Sequence, residues 1–379
     1  MTEPQPPTQR QQFAQSYWDE RASRDAHFSI WGDPTVLDPD DLDIGAFERS
    51  GEVAVRALQP FVHPEAVALE IGCGIGRLLR PLSKHCRQVI GVDISAQMIA
   101  KARDYLDEVS NATLIVGDGA SLAGVEDGSV DFVYSLLVLI HVDKRSAYRY
   151  LAEIQRVLKP GGLALLQFQN MMSERGLELF QGVVASDYPF EFYTPEEVRR
   201  LMGRVGLEVY GENLNAEFIE VAALNGDLRT WAEAWRRDVA VEGTGRRGVF
   251  AGDCGLDGDG VLAARIENAG AQWRTVELSV SLQRCHAGAL HEVAWSHAVL
   301  PLAPHSEAEI GARYDGRTGM IELEGPTRLW RMPSRRPQRV PTQGALEAHF
   351  AAIPSGHRWN EATARTFPSY SGVLALPSR

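Results

Sequence analysis

Cysteine is scarce: the chain of 379 residues has four, at positions 73, 86, 254 and 285, and no two are close neighbours. That spacing excludes a small disulfide-stapled scaffold and offers no clustered thiols for a structural zinc site. Long apolar runs are missing too. The longest, 132–140, is nine residues and contains Tyr134 and Ser135, whereas a membrane-crossing helix needs roughly 20. The opening MTEPQPPTQRQQ has no basic start, apolar stretch or small-residue cleavage site, so residues 1–12 are expected as a flexible N-terminus and the protein as cytoplasmic, without a membrane partner. Positive charge is short in one part only. Residues 1–225 carry 20 Lys+Arg against 33 Asp+Glu, a net −13, while residues 226–379 carry 18 against 17, a net +1. An acidic domain repels phosphate backbones at long range, so no nucleic-acid partner is expected.

Hydrophobic residues make up 44% and charged residues 23% of the chain, enough for a sizeable core and against wholesale disorder. A short helix is expected from Phe13, a loop over 32–43 with five aspartates and two prolines, and a helix over 47–58 that ends before Pro60. Short apolar runs at 67–71, 88–92, 113–116, 132–135 and 163–168 then alternate with helical patterns at 76–85, 96–106 and 144–157. This alternation predicts strand–helix–strand units around a parallel sheet. Thr194 before Pro195 marks a helix start, and the helix closes near 203–206 ahead of two strands, 207–210 and 218–224, that read as an antiparallel hairpin. The expected domain over 13–225 is therefore α/β, a Rossmann-like, seven-stranded, mostly parallel sheet with helices on both faces.

Beyond Asn225, Trp231, Trp235 and Val239 recur at helical spacing, and 226–248 is expected as helix and linker. In 249–332 the period changes to two, as in Val276, Leu278, Val280 and Leu282. That stretch predicts a mainly β, sandwich-like domain. The remainder, 333–379, with three prolines and three arginines in its first twelve residues, reads as linker and tail.

The most informative run is Leu69-Glu70-Ile71-Gly72-Cys73-Gly74-Ile75-Gly76-Arg77, directly after the first strand. Glycines there let backbone approach a ligand closely beside a helix start. A dinucleotide fingerprint would want its third glycine at 77, which is Arg, so a nicotinamide-dependent oxidoreductase is the weaker alternative. Asp93, 23 residues beyond Glu70, ends the second strand, where a carboxylate can accept both ribose hydroxyls of an adenosine. The acid-x-Gly-x-Gly-x-Gly arrangement resembles the first motif of the class I S-adenosylmethionine-dependent methyltransferases, and the likeness extends over about 13–224. It implies S-adenosylmethionine as cofactor, held by Glu70, Gly72, Gly74, Gly76 and Asp93. It further implies Ile94 and Met98 beside the adenine, Asp118 and Gly119 at its amino group, Ser135 beside the methionine tail, and Tyr17 and Trp18 on a helix closing over the cofactor.

His141, after the fourth strand at the carboxyl edge where ligands of such sheets bind, is the candidate general base. Ser135 is followed by Leu136-Leu137-Val138 and not by the Pro-Pro-aromatic run of the DNA amino-methyltransferases. Gln169-Asn170 stands where the metal-dependent catechol type has Asp-Asn. The expectation is a metal-independent transfer to an O or N nucleophile of a small molecule or saccharide, with an adenosyl-ligand-binding protein without methyl transfer as the alternative. Ile266-Glu267-Asn268-Ala269-Gly270 and the Leu300 to Pro304 run resemble immunoglobulin-like sandwiches appended to glycan-modifying enzymes. Three roles stay open for that domain: binding a glycan, covering the active site, or forming a homodimer.

Overall fold

All five residues of β1 (Val67–Ile71) are buried, as a strand covered on both faces requires. In the computed structural model, which describes residues 8–31, 42–185, 189–243, 261–286, 289–315, 320–326, 330–331, 345–354 and 369–374, the chain divides into two units, residues 1–228 and 229–379. In the first, β1 is joined by β2 (Gln88–Asp93), β3 (Ala112–Val116), β4 (Val130–Ser135), β5 (Leu158–Asn170), β6 (Phe192–Tyr193), β7 (Leu207–Leu214) and β8 (Phe218–Asn225). The sheet order is β3-β2-β1-β4-β5-β8-β7. β8 alone runs against both of its neighbours, so the expected hairpin closes a mostly parallel sheet. An eighth strand adds to the seven expected: β6 pairs parallel with the end of β5, and its two residues are too few to show a period.

The helices are α1 (Gln9–Trp31), α2 (Ile44–Val55), α3 (Leu79–Leu82), α4 (Ala96–Tyr105), α5 (Lys144–Val157), α6 (Glu174–Val183) and α7 (Pro195–Val205). α7 follows its sequence signals closely, with a capping box between Thr194 and Glu197 and a left-handed Gly206 at its end. The N-terminus corrects the expectation of a flexible stretch to residue 12. Thr8 and Gln11 exchange hydrogen bonds, Thr8 N to Oε1 at 2.7 Å and Gln11 N to Oγ1 at 3.3 Å. This capping box starts α1 at Gln9 and leaves Gln11 only 6% exposed. α1 is longer than expected and breaks at Asp25, whose backbone is non-helical and whose carboxylate caps Phe28 N at 2.9 Å. Ala22, Ala26, Phe47, Ile75 and Met98 form one apolar cluster joining α1 and α2 to the glycine loop and α4.

The second unit opens within α8 (Leu228–Asp238) and continues through β9 (Val239–Gly243), β10 (Val261–Asn268), β11 (Arg274–His286), β12 (Ala289–Leu302), β13 (Ser306–Asp315), β14 (Met320–Glu324), β15 (Trp330–Arg331), β16 (Ala345–Pro354) and β17 (Ser369–Leu374). They form a four-stranded sheet, β14-β13-β10-β9, and a five-stranded one, β15-β12-β11-β16-β17. Each of their pairings is antiparallel. β9 lies in the stretch read as helix and linker, and β16 and β17 in the stretch read as linker and tail. Their placement comes from long pairings such as Cys285 to Ala345 through Val276 to Pro354, because Ala-Leu-Glu-Ala-His-Phe carries little local strand preference. Residues 244–248 and 333–344, read as linker, and 249–260 and 332, read as part of the β domain, lie outside the described residues. Asp238 and Arg274 make a buried ion pair at 2.5 Å, and the buried Asn268 amide donates to Gln272 O, Leu302 O and Ala303 O.

Candidate active site

The chain leaves β1 through three left-handed glycines, Gly72 (φ 74°), Gly74 (φ 53°) and Gly76 (φ 90°). φ disfavours a side chain at each, and space adds to this in different degree: a Cβ on Gly72 would run into Val138, one on Gly76 would meet the flexible end of Leu106 at 2.7 Å, and one on Gly74 would press on Ile30 at 3.1 Å. The loop is tied to the end of β2. Gly72 N and Cys73 N donate to Val92 O at 2.7 and 3.1 Å. Asp93 accepts Gly74 N at 2.9 Å on Oδ2 and Ser95 N at 2.8 Å on Oδ1, so its carboxylate is a strut between the glycine loop and the start of α4. Burial pushes the Asp93 carboxyl up to about 6, against the pull of those two N–H groups. Glu70, only 5% exposed, accepts the Tyr134 hydroxyl at 3.0 Å, and burial pushes it further, to about 8, with Tyr134 and the Arg77 charge opposing.

α1 is pinned across this edge at two points. Asp19 Oδ1 accepts Ser95 Oγ at 2.6 Å and Gln97 N at 3.3 Å, and Gln11 Nε2 donates to Asp118 O at 3.1 Å. Beneath it lies a cleft of about 880 Å³. Of the residues singled out in the sequence, Trp18, Glu70, Gly72, Gly74, Asp93, Ile94, Met98, Gly119 and His141 line it together.

Tyr17, Gly76, Asp118 and Ser135 are not part of that lining. Tyr17 packs edge-on against Trp18 at 5.3 Å, with the Arg21 guanidinium 5.0 Å from its ring centre. The Ser135 hydroxyl donates to Ile71 O at 3.2 Å and ties β4 to β1. Asp118 caps its own turn, accepting Ala120 N at 2.9 Å, Ser121 N at 2.7 Å and Ser121 Oγ at 2.8 Å. Burial would raise its carboxyl, but these bonds outweigh burial and hold it below the ordinary value.

His141 ends a 3-10 turn, Leu139–His141, just after β4. Its Nδ1 lies 2.8 Å from Pro189 O. A carbonyl only accepts, so Nδ1 carries the proton and Nε2 is the acceptor. Trp18 and Phe190 pack on the ring at 5.3 and 5.1 Å between centres. Burial pushes the imidazole down to about 4, with the Pro189 bond opposing and the Arg21 charge adding to the effect. The ring is neutral near pH 7. Beside it Leu137 adopts a left-handed backbone (φ 61°) and donates its N–H to the buried Gln167 Oε1 at 2.9 Å.

Sequence reasoning missed Leu137, Gln11, Phe190 and Glu191 as lining residues. The Thr8-x-x-Gln11 capping box could have revealed Gln11; nothing local marks Leu137. Among the described residues, no group of three His, Cys, Asp or Glu side chains is placed to hold a metal ion, and no helix is long and apolar enough to cross a membrane.

Residues 69–166 match a family described as "Methyltransferase domain". The chain is 26% identical over 212 residues to the 2-methyl-6-phytyl-1,4-hydroquinone methyltransferase of Synechocystis sp., covering 53% of this chain and 59% of that protein. It is 31% identical over 149 residues to phosphoethanolamine N-methyltransferase 1 of Triticum aestivum, covering 39% and 28%. It thus spans less than two thirds of either relative. Among solved structures, magnesium protoporphyrin IX methyltransferase from Synechocystis PCC 6803 with bound SAH is similar at 22% identity and a TM-score of 0.44, covering 56% of this chain and 98% of that one. The match over 69–166 takes in the glycine loop, Asp93 and His141, so the part of the first unit that carries the cleft is similar to a methyltransferase domain.

Proposed function

We propose that this protein transfers a methyl group from S-adenosylmethionine to an O or N nucleophile of a small molecule or saccharide, without a metal ion. The observation that carries this reading is a single cleft holding both a glycine loop braced by half-buried Asp93, with buried Glu70 beside it, and a histidine of fixed tautomer.

The residues fit the cofactor. Each Asp93 oxygen uses one lone pair on a backbone N–H and keeps capacity for a ribose hydroxyl. Glu70 offers a carboxyl for the amino group of a methionine tail, and Ile94 and Met98 offer apolar surface for a base. When bound, S-adenosylmethionine supplies a methyl group on a sulfonium that is already a good leaving group. The chain's task is to align the nucleophile, exclude water and accept a proton where the nucleophile holds one. Trp18 and Phe190 shield the site beside His141, and Nε2 is the proton acceptor. A ring whose basicity is lowered to about 4 suits an amine lone pair or an acidic hydroxyl better than a sugar hydroxyl. The two relatives, named for a hydroquinone and for phosphoethanolamine, are in keeping with a small acceptor.

The test is to incubate the purified chain with S-adenosylmethionine labelled in its methyl group, panels of phenols, amines and sugars, and a metabolite extract, with and without chelator. The expected result is S-adenosylhomocysteine together with a labelled product, unaffected by chelation. Tight cofactor binding without any product would favour an adenosyl-ligand module, and binding of NAD instead would favour an oxidoreductase. The same reading places the protein in the cytoplasm without a nucleic-acid partner, and assigns homodimerisation to the second unit, measurable by light scattering with and without residues 229–379.

A further inference from the structure

Helix α5 buries Ala147, Leu151 and Ile154 in the main core. Asp143, Ser146 and Tyr150, spaced i, i+3 and i+7 on one helical stripe, line the cleft instead. The Asp143 carboxylate is engaged as the helix cap, accepting Arg145 N at 3.1 Å and Ser146 N at 3.3 Å. The two hydroxyls are not engaged. Ser146 is 5% and Tyr150 4% exposed, yet neither side chain makes a hydrogen bond among the described residues. Neither oxygen is among the fully buried, unpartnered polar atoms, so both hydroxyls open onto the cleft, where water or a ligand can pair them. Two hydroxyls on one wall of a cleft offer a polar surface to a ligand.

Their position identifies which part of a ligand. Three residues after Tyr150, Glu153 Oε2 accepts Leu122 N at 2.9 Å, which holds α5 against the turn that follows β3. Gly119 of that turn, with Ile94 and Met98, lines the same cleft. Asp118, the residue the family resemblance assigns to the adenine amino group, turns its carboxylate onto its own turn and does not line the cleft. An adenine edge presents an amino donor and ring-nitrogen acceptors, and a hydroxyl can both accept and donate.

We propose that the Ser146 and Tyr150 hydroxyls form the polar wall that hydrogen-bonds the adenine edge of the bound cofactor, in place of the Asp118 carboxylate. The inference rests on the cofactor reading above.

Calorimetric titration with S-adenosylhomocysteine tests it on the full chain and on Tyr150→Phe, Ser146→Ala and the double variant, with unliganded thermal melts alongside. Each single substitution is expected to weaken binding roughly three- to tenfold and the double more, with unliganded melting unchanged because both hydroxyls face the open cleft. S-inosylhomocysteine, with an oxo group in place of the amino group, is the second probe. The wild-type preference for the adenine form is expected to shrink in the variants. Unchanged affinity in both folded single variants, or an equal loss for the two bases, would overturn the inference while leaving the cofactor reading intact. A wild-type chain that binds no S-adenosylhomocysteine would overturn the cofactor reading itself, and this inference with it.

Discussion

At the amino edge of the first unit's sheet, Asp131 accepts Val67 N at 2.8 Å and the Lys159 ammonium at 2.8 Å, while the Asn225 amide donates to Gln155 O, Leu158 O and Lys159 O. At the carboxyl edge the same strands end in three left-handed glycines, a left-handed Leu137 and two carboxyls raised by desolvation, with two hydroxyls lining the same cleft. The amino edge closes its hydrogen bonds within the protein. The carboxyl edge holds strain and polar groups that face an open cleft, which a fold tolerates where a ligand completes them. If this division is functional, equivalent substitutions at the two edges should separate stability from binding and turnover.

The largest effect is expected at His141. His141→Ala should keep affinity for S-adenosylhomocysteine and lose roughly 10²–10⁴-fold in turnover if the acceptor carries a proton. Burial pushes the imidazole down to about 4, so wild-type activity should hold through neutral pH and fall only as pH drops toward 4, where Nε2 is protonated. A pH–rate profile checks this: an acidic limb near the ordinary value of 6.5 would mean the ring is less buried in the working enzyme. His141→Asn, which keeps a donor for Pro189 O, separates loss of the base from loss of packing. Near-normal turnover in either variant would leave alignment alone as the source of catalysis.

Two glycines of similar backbone sharpen the contrast. Gly72 (φ 74°) has Val138 where a Cβ would sit, whereas Gly128 (φ 58°), in the turn before β4 at the amino edge, has nothing within 4 Å. Gly128→Ala should cost about 1–2 kcal/mol of stability from left-handed strain alone. Gly72→Ala adds overpacking of about 1–3 kcal/mol and should also abolish cofactor binding. Chemical denaturation and titration of both variants decide it. Equal stability losses with binding retained in both would break the comparison.

Asp131→Ala at the amino edge should lower stability by about 1–3 kcal/mol, the cost of a buried N–H left without its acceptor, and leave S-adenosylhomocysteine affinity unchanged. A loss of affinity larger than twofold would mean that the two edges are coupled through β1 and β4.

The amino edge and the scaffold were the more legible parts of the sequence. Strands β1 to β5 announce themselves as apolar runs between helical periods, and Thr194-Pro195 marks α7 because capping is local chemistry. In the site, the glycines and Asp93 were readable from spacing, since backbone approach and strand-end position follow from residue type and order. Asp118 shows the limit. Its type and place match the resemblance, but whether its oxygens face a ligand or its own Ala120 and Ser121 depends on turn geometry that spacing does not encode. Ser146 and Tyr150 sit in an amphipathic pattern that reads as core, and only the fold reveals that their stripe meets a cleft. β16 is invisible locally because its ten-residue pairing with β11 is long-range.

The effect spread over the widest range of conditions lies in the pH dependence of stability, and Glu70 carries it. In the folded chain its carboxyl keeps its proton up to about pH 8, whereas in the unfolded chain it titrates near its ordinary value of 4.5. Between those values the folded state binds more protons than the unfolded state, so stability falls as pH rises through the window. Asp93 contributes in the same sense between 3.8 and about 6, which leaves the interval from 6 to 8 to Glu70 among these two. Glu70→Gln keeps an oxygen for the Tyr134 hydroxyl and cannot ionise. Melting temperatures from pH 5 to 9 should therefore coincide with wild type at the acidic end and exceed it above pH 8, the slope differing by at most about 1.4 kcal/mol per pH unit. Parallel curves would mean that Glu70 is already ionised and that the carboxyl edge stores less electrostatic cost than its burial implies. If the curves diverge, the same proton gives a binding signature: a ligand ammonium placed beside Glu70 favours its charged form, so cofactor binding at pH 7 should release protons in wild type. Titrations in buffers of different ionisation enthalpy should lose that release in Glu70→Gln.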